Sequence, residues 1–265
     1  MQFDPQLAEI RFGCGLSPVI APPVSVAQMV DSLNAPDTIA ERFPVETFEI
    51  FQNRVAEAVR LRKLRRTNRG SPEALAALKG RRMLNQQARI AQVAWLGQHF
   101  TRWTWTDAPL RERLVHFWAD HFTATGKAGV ARRAATPYIE SAIRPRVAGL
   151  FEDLLLATVL HPLMIHYLDQ ERSIGPASPR ALQGGKVSGL NENLAREVLE
   201  LHTLGVGGPY TQTDVTQLAE LLTGVTNGDP MRMRFRKDMA EPGAETVLGI
   251  AYGGGKAHLR DVEAV

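Results

Sequence analysis

Cysteine is almost missing from this chain: Cys14 stands alone among 265 residues, which excludes an intramolecular disulfide. Within FGCGLSP it reads as a small apolar filler, with a reactive thiol as the alternative. No run of about 18 apolar residues occurs, so a hydrophobic membrane-spanning helix is not expected. The opening MQFDPQLAEIRFGCGLSP lacks the basic start and apolar core of an export signal. The expected location is therefore cytoplasmic, unless a leader lies outside this sequence. Nucleophile and nucleotide signatures are missing too. There is no G-x-S-x-G, and the Gly-rich GGPY and YGGGK match neither the P-loop spacing nor the dinucleotide fingerprint, so both read as turns. Neither an internal repeat nor a low-complexity tract is present.

What remains has the make-up of a folded globular chain, 44% hydrophobic and 22% charged, too apolar for intrinsic disorder. Its net charge of +3 conceals an asymmetry. Eleven Lys/Arg and two acids fall between Arg54 and Arg89, giving that stretch +9 and leaving −6 for the rest. Within it, Arg62, Lys63, Arg65 and Arg66 form a candidate patch for phosphate, a polyanion or an anionic surface. No aromatic residue lies in Arg60–Arg69 to stack on bases, and Leu61 and Leu64 sit at helical spacing. A solvated helix face is the competing reading.

Most of the chain reads as helix. A short helix follows Ser25, and a longer one spans roughly Val45–Arg66, with Phe48, Phe51, Val55 and Val59 at spacings of three and four. Gly70 breaks it; Ser71 caps a new helix with Pro72 at its first position, running to about Trp103. An antiparallel return of these two makes a projecting basic hairpin over residues 45–104. Asp107 is placed as the cap of a helix from Pro109 to Phe122. Further helices are expected at Tyr138–Ile143, Phe151–Leu160 and Pro162–Leu168, then a long loop over Asp169–Leu190 rich in Gly, Pro and Ser. Met231, Met233 and Phe235 alternate with arginines, the two-residue period of a strand. LRDVEAV at the end looks like the start of an uncapped helix.

The most informative stretch is Asn191–Thr226, NENLAREVLELHTLGVGGPYTQTDVTQLAELLTGVT. Asn191 is a good N-cap for a helix over 192–204 that Gly205 stops. Thr211 and Asp214 then form a capping-box signature for a second helix ending at Gly224. The two make a helical hairpin. This core, together with LRERLVHFWADHF (Leu110–Phe122), resembles the bacterial family DUF1800, a domain of unknown function. The resemblance implies no particular reaction. It implies that the positions matching His121, Asn193, Arg196, Glu197, His202, Tyr210 and Asp214 belong to the family's motif. Many relatives carry export signals, and relatives continue beyond residue 265, so a truncated copy is expected.

At 100° per residue, Leu110, Leu114, Phe117 and His121 share a stripe expected to face the core, with His116 outward. Asn193, Glu197 and Glu200 form a polar stripe with Arg196 alongside, while Leu194, Val198 and Leu201 form the apolar face that continues to His202. On that geometry Glu197 and His202 point apart, so a shared site needs several helices, with the Pro109 and Glu192 helices packed together. Two readings follow. In the first, a mainly α, irregular multi-helix bundle over residues 4–224, one domain with a minor β element after it, binds an unknown protein or polymer. Its groove lies along helix 192–204, with Asn193, Arg196, Glu200, Tyr210 and Asp214 as binding residues. In the second, a hydrolase or lyase uses His121, Glu197 and His202 as candidate catalytic residues, with a divalent metal on His121, Glu197 and Glu200 as one form of it.

Overall fold

A computed structural model describes residues 2–184 and 189–265. The chain is mainly α with two small two-stranded ribbons near its C-terminus. It divides into two compact units, Met1–Thr123 with Gly129–Leu154, and Ala124–Ala128 with Leu155–Val265.

The first unit contains α1 (Pro5–Phe12), α2 (Val26–Asn34), α3 (Thr38–Arg42), α4 (Phe48–Thr67), α5 (Pro72–Trp105), α6 (Pro109–His121) and α7 (Ala135–Tyr138). Its helix starts are set by short polar caps: the side chains of Asp4, Ser25, Asp37 and Ser71 accept from Leu7, Gln28, Ala40 and Ala74 N–H. Between α4 and α5 the chain reverses at Gly70, whose φ of +86° suits a residue without Cβ. The two helices run antiparallel. Phe51 meets Trp95 at 6.2 Å between ring centroids, Leu61 packs beside Gly80, and Arg102 Nε donates to Phe43 O at 2.8 Å. Phe48, Phe51 and Val55 are buried as their spacing requires, and Val59 is half-buried. Helix α4 starts at Phe48 rather than Val45, with Thr47 in extended backbone at the cap position.

Helix α6 corrects two expectations. Asp107 is not its cap: Ala108 holds that position without a side-chain bond, while Thr106 Oγ1 accepts from Ala108 N–H. The buried face is also rotated by about one residue. Arg111, Glu112 and Val115 are buried, whereas Leu110, Leu114 and His121 are half-buried and Phe117 is exposed. Ion pairing is the reason. Arg144 donates to Glu112 at 2.5 and 3.1 Å and to Asp37 at 2.7 and 2.9 Å, all out of contact with bulk water on the Glu112 side. A buried carboxylate compensated this fully can occupy a core position that a hydropathy count assigns to leucine. Arg144 follows a π-wound turn, Ile139–Ile143, that continues α7.

The boundary between the units falls within α8 (Phe151–Val159). The second unit continues with α9 (Pro162–Tyr167), α10 (Pro179–Leu182), α11 (Asn193–Arg196), α12 (Gln212–Leu221) and α13 (Leu259–Glu263). Strands β1 (Val225–Gly228) and β2 (Arg232–Phe235) pair antiparallel with Val225 opposite Phe235. Strands β3 (Ala244–Val247) and β4 (Ile250–Gly253) form a second ribbon that sequence periodicity did not suggest. The expected loop Asp169–Leu190 holds a 3-10 turn, Gln170–Arg172, and α10, while residues 185–188 lie outside the described residues.

Helix α12 stops at Leu221, earlier than Gly224. The glycine is needed there for a different purpose: at φ +87° a Cβ would stand 2.9 Å from Arg236 O and from Ala240 Cβ. The final helix is capped after all, since His258 N–H donates to Asp261 Oδ2 at 3.0 Å.

Candidate functional site

The NEN turn opens the site in the second unit. Glu192, not Asn191, occupies the helix cap position. Asn191 instead spends both ends of its amide locally. Its Oδ1 accepts from Asn193 N–H at 3.0 Å and its Nδ2 donates to Leu168 O at 2.9 Å, while its own N–H donates to Ser173 Oγ at 3.1 Å. Asn193 Nδ2 reaches the same Leu168 carbonyl at 3.5 Å. Two asparagines therefore clamp the segment that begins with Asp169, a non-glycine residue at φ +58°.

Beyond the turn the winding changes. After four α residues the helix becomes π-wound over Glu197–Thr203, and Leu204 N–H bonds to Leu199 O five residues back. Such turns are rare and recur at functional sites. This changes the angular spacing from the 100° per residue assumed for an α-helix. With i→i+5 pairing, residues five apart are offset by a smaller angle than in an α-helix, so Glu197 and His202 diverge less than the 100° geometry gives. Leu201, expected on the apolar side, is 53% exposed, and His202 is 4% exposed.

Arg196 is held between two acids, 2.8 Å from Glu192 and 3.2 Å from Glu200, and donates to Gln212 Oε1 at 2.7 Å. Glu192 also accepts from Thr216 Oγ1 at 2.9 Å, tying α11 to α12. Glu192, Gln212 and Thr216 were not singled out in the sequence. Only the i,i+4 spacing of Glu192 and Arg196 signalled any of them. Glu197 takes no part in this network. Burial, reinforced by the neighbouring Glu200 charge, holds its carboxyl above the usual range. Asp214 completes the capping box expected with Thr211 and also accepts from Leu248 N–H at 2.7 Å, fastening α12 to the β3–β4 turn. Tyr210 lies half-buried just before that box.

His121 belongs to the first unit, in an aromatic cluster with Trp118 and Phe122 at 5.3 and 4.7 Å between ring centroids. Cys14 fits the filler reading: burial, with Glu112 and Glu9 adding to it, pushes its thiol up to about 12 and keeps it protonated.

A polar group that sequence reading missed lies beside the clamp. His166 Nδ1 stands 3.6 Å from Glu171 Oε1, and His166 Nε2 accepts from Lys127 N–H at 3.4 Å. Asn227 Nδ2 approaches Glu171 at 3.5 Å, and Lys127 pairs with Asp169 at 2.6 Å. Contact with His166, against the opposing effect of burial, holds the Glu171 carboxyl below its ordinary value. Of these five positions, Lys127 and Asn227 lie far in sequence from His166, Asp169 and Glu171, so no local spacing announced the group. Among the described residues no three His, Cys, Asp or Glu converge as a metal site.

In the first unit, the tip of the α4–α5 hairpin carries an open groove of about 670 Å³ lined by Arg62, Arg65, Arg66, Arg69 and Arg81. Lys63 is exposed nearby but does not line it. The family model described as protein of unknown function (DUF1800) matches residues 10–265. The chain belongs to this family. No curated protein and no solved structure matches it. In this DUF1800 chain the two motif blocks fall in different compact units, Leu110–Phe122 in the first and Asn191–Thr226 in the second.

Proposed function

We propose that this DUF1800 protein is a binding protein, and that its ligand is taken up on the polar face of the 193–203 helix. The π-wound segment Glu197–Thr203 carries the reading. It leaves the Glu197 carboxylate partly buried with no cation paired to it among the described residues, because Arg196 is already committed to Glu192 and Glu200. A half-desolvated carboxylate of this kind gains most from a ligand that supplies positive charge or hydrogen-bond donors. The matching ligand class is a cationic segment of a protein or polymer. The test is a thermal melt with spermidine and with a Lys/Arg-rich peptide. Both are expected to raise the melting temperature of the parent protein and to leave Glu197→Gln unmoved. Equal shifts in parent and variant would overturn the proposal.

The enzyme reading rests on the same observation. A carboxyl with raised proton affinity, on the same π-wound segment as an imidazole, is suited to general acid–base chemistry. Turnover of a polymer substrate that Glu197→Gln and His202→Gln both abolish would favour it over simple binding.

A further inference from the structure

The basic hairpin of the first unit has no part in that site, and it carries a second feature that charge alone does not explain. Helix α5 exposes Leu75, Met83, Ile90, Val93, Leu96 and Phe100, each between 52% and 69% exposed. At 100° per residue all six fall within about 140° of arc, and from Leu75 to Phe100 they extend about 37 Å. Lys79, Arg82 and Arg89 are exposed on the same side. Glu73 is the single acid in the 34 residues of α5. At the tip, the groove places Leu75 and Leu78 among its five arginines. Of the two acids in the +9 stretch, Glu57 is already paired with Arg60 at 2.7 Å.

We propose that the α4–α5 hairpin lies on an anionic phospholipid surface, its arginines on the headgroup phosphates and its exposed aliphatic stripe in the headgroup–acyl boundary. Exposed apolar side chains, densest over Ile90–Phe100, on the same helix face as the cations Lys79, Arg82 and Arg89 are what an interfacial helix needs. No helix among the described residues is long and apolar enough to cross a membrane, so the hairpin rests on the surface. Charge complementarity selects the occupant. A second copy would bring the same cations and repel. Nucleic acid would find no aromatic residue lining the groove to stack on and no use for the aliphatic stripe. A soluble phosphate would leave that stripe in water.

Co-sedimentation with vesicles tests this. The protein is expected to pellet with vesicles containing phosphatidylglycerol and to stay in solution with pure phosphatidylcholine. High salt should weaken the binding without abolishing it, because the apolar stripe is not screened. Replacing Arg62, Arg65, Arg66 and Arg69 with Gln should lower the bound fraction at least about tenfold. Replacing Ile90, Val93 and Leu96 with Ser should lower it comparably, with an unchanged far-ultraviolet dichroism spectrum showing that the hairpin is intact. Absence of binding, equal binding to both vesicle types, or insensitivity to the Ser substitutions would overturn the proposal. Heparin retention that only the Arg substitutions remove, without vesicle binding, would instead assign the groove to a soluble polyanion.

Discussion

Arg144 and Glu112 show how much a single pair can decide. Their guanidinium and carboxylate are 3% and 1% exposed, and each satisfies the other. Glu112→Ala leaves a buried cation with only Asp37, and is expected to cost about 3–5 kcal/mol in denaturant unfolding. Glu245 gives the opposite sign. Burial, and then the charges of Glu220 and Glu241, raise its carboxyl from 4.5 to about 7. The folded state therefore holds a proton that the unfolded chain releases between those values. Stability should be greatest below the window and fall as pH rises through it. Glu245→Gln should flatten this dependence and melt higher than the parent above pH 7, while matching it below the window. Glu197→Gln should behave likewise on a smaller scale, since its carboxyl is also raised, by burial and by Glu200. A lower melting temperature for Glu197→Gln at neutral pH would show that the charged carboxylate has a stabilising partner.

At the scale of elements, the capping box at Thr211 separates structural from binding roles in the motif. Thr211→Ala removes one cap and is expected to cost about 1 kcal/mol. Asp214→Ala should cost more, because the same carboxylate holds both the cap and the Leu248 amide of the β3–β4 turn. Equal losses from the two variants, read by chemical unfolding, would show that the Leu248 bond contributes little. Elements of this kind were legible in the sequence, as Ser25, Ser71, Gly70 and Thr211 each mark the boundary that the backbone adopts. The face of α6 was not. Its rule, that charged residues turn outward, fails wherever a distant partner compensates the charge. The 197–203 winding was not legible either, since any stripe drawn at 100° per residue presupposes α-helix.

Across the whole molecule, the two compact units give the residue-scale effects separate addresses. Hydrogen exchange resolved by peptide should show Glu112→Ala loosening the first unit, around α6 and the 139–146 turn. Glu245→Gln above pH 7 should tighten the second, around β3 and α12. Changes spread evenly over both units would show that they open together. The charge asymmetry follows the same division, with the entire +9 stretch in the first unit.

The sequence by itself determined the helix-rich class, the caps and reversals, the basic hairpin and family membership. Each of these is written within a few adjacent residues, where spacing, dihedral preference and cap chemistry act. Only the tertiary structure decided which charges are buried and which side chains meet. Arg144 finds Glu112 across 32 positions and Asp37 across 107. The Leu168 carbonyl is clamped by asparagines 23 and 25 residues further on. Compensation at that separation turns a polar residue inward or outward by a free energy that no local pattern contains.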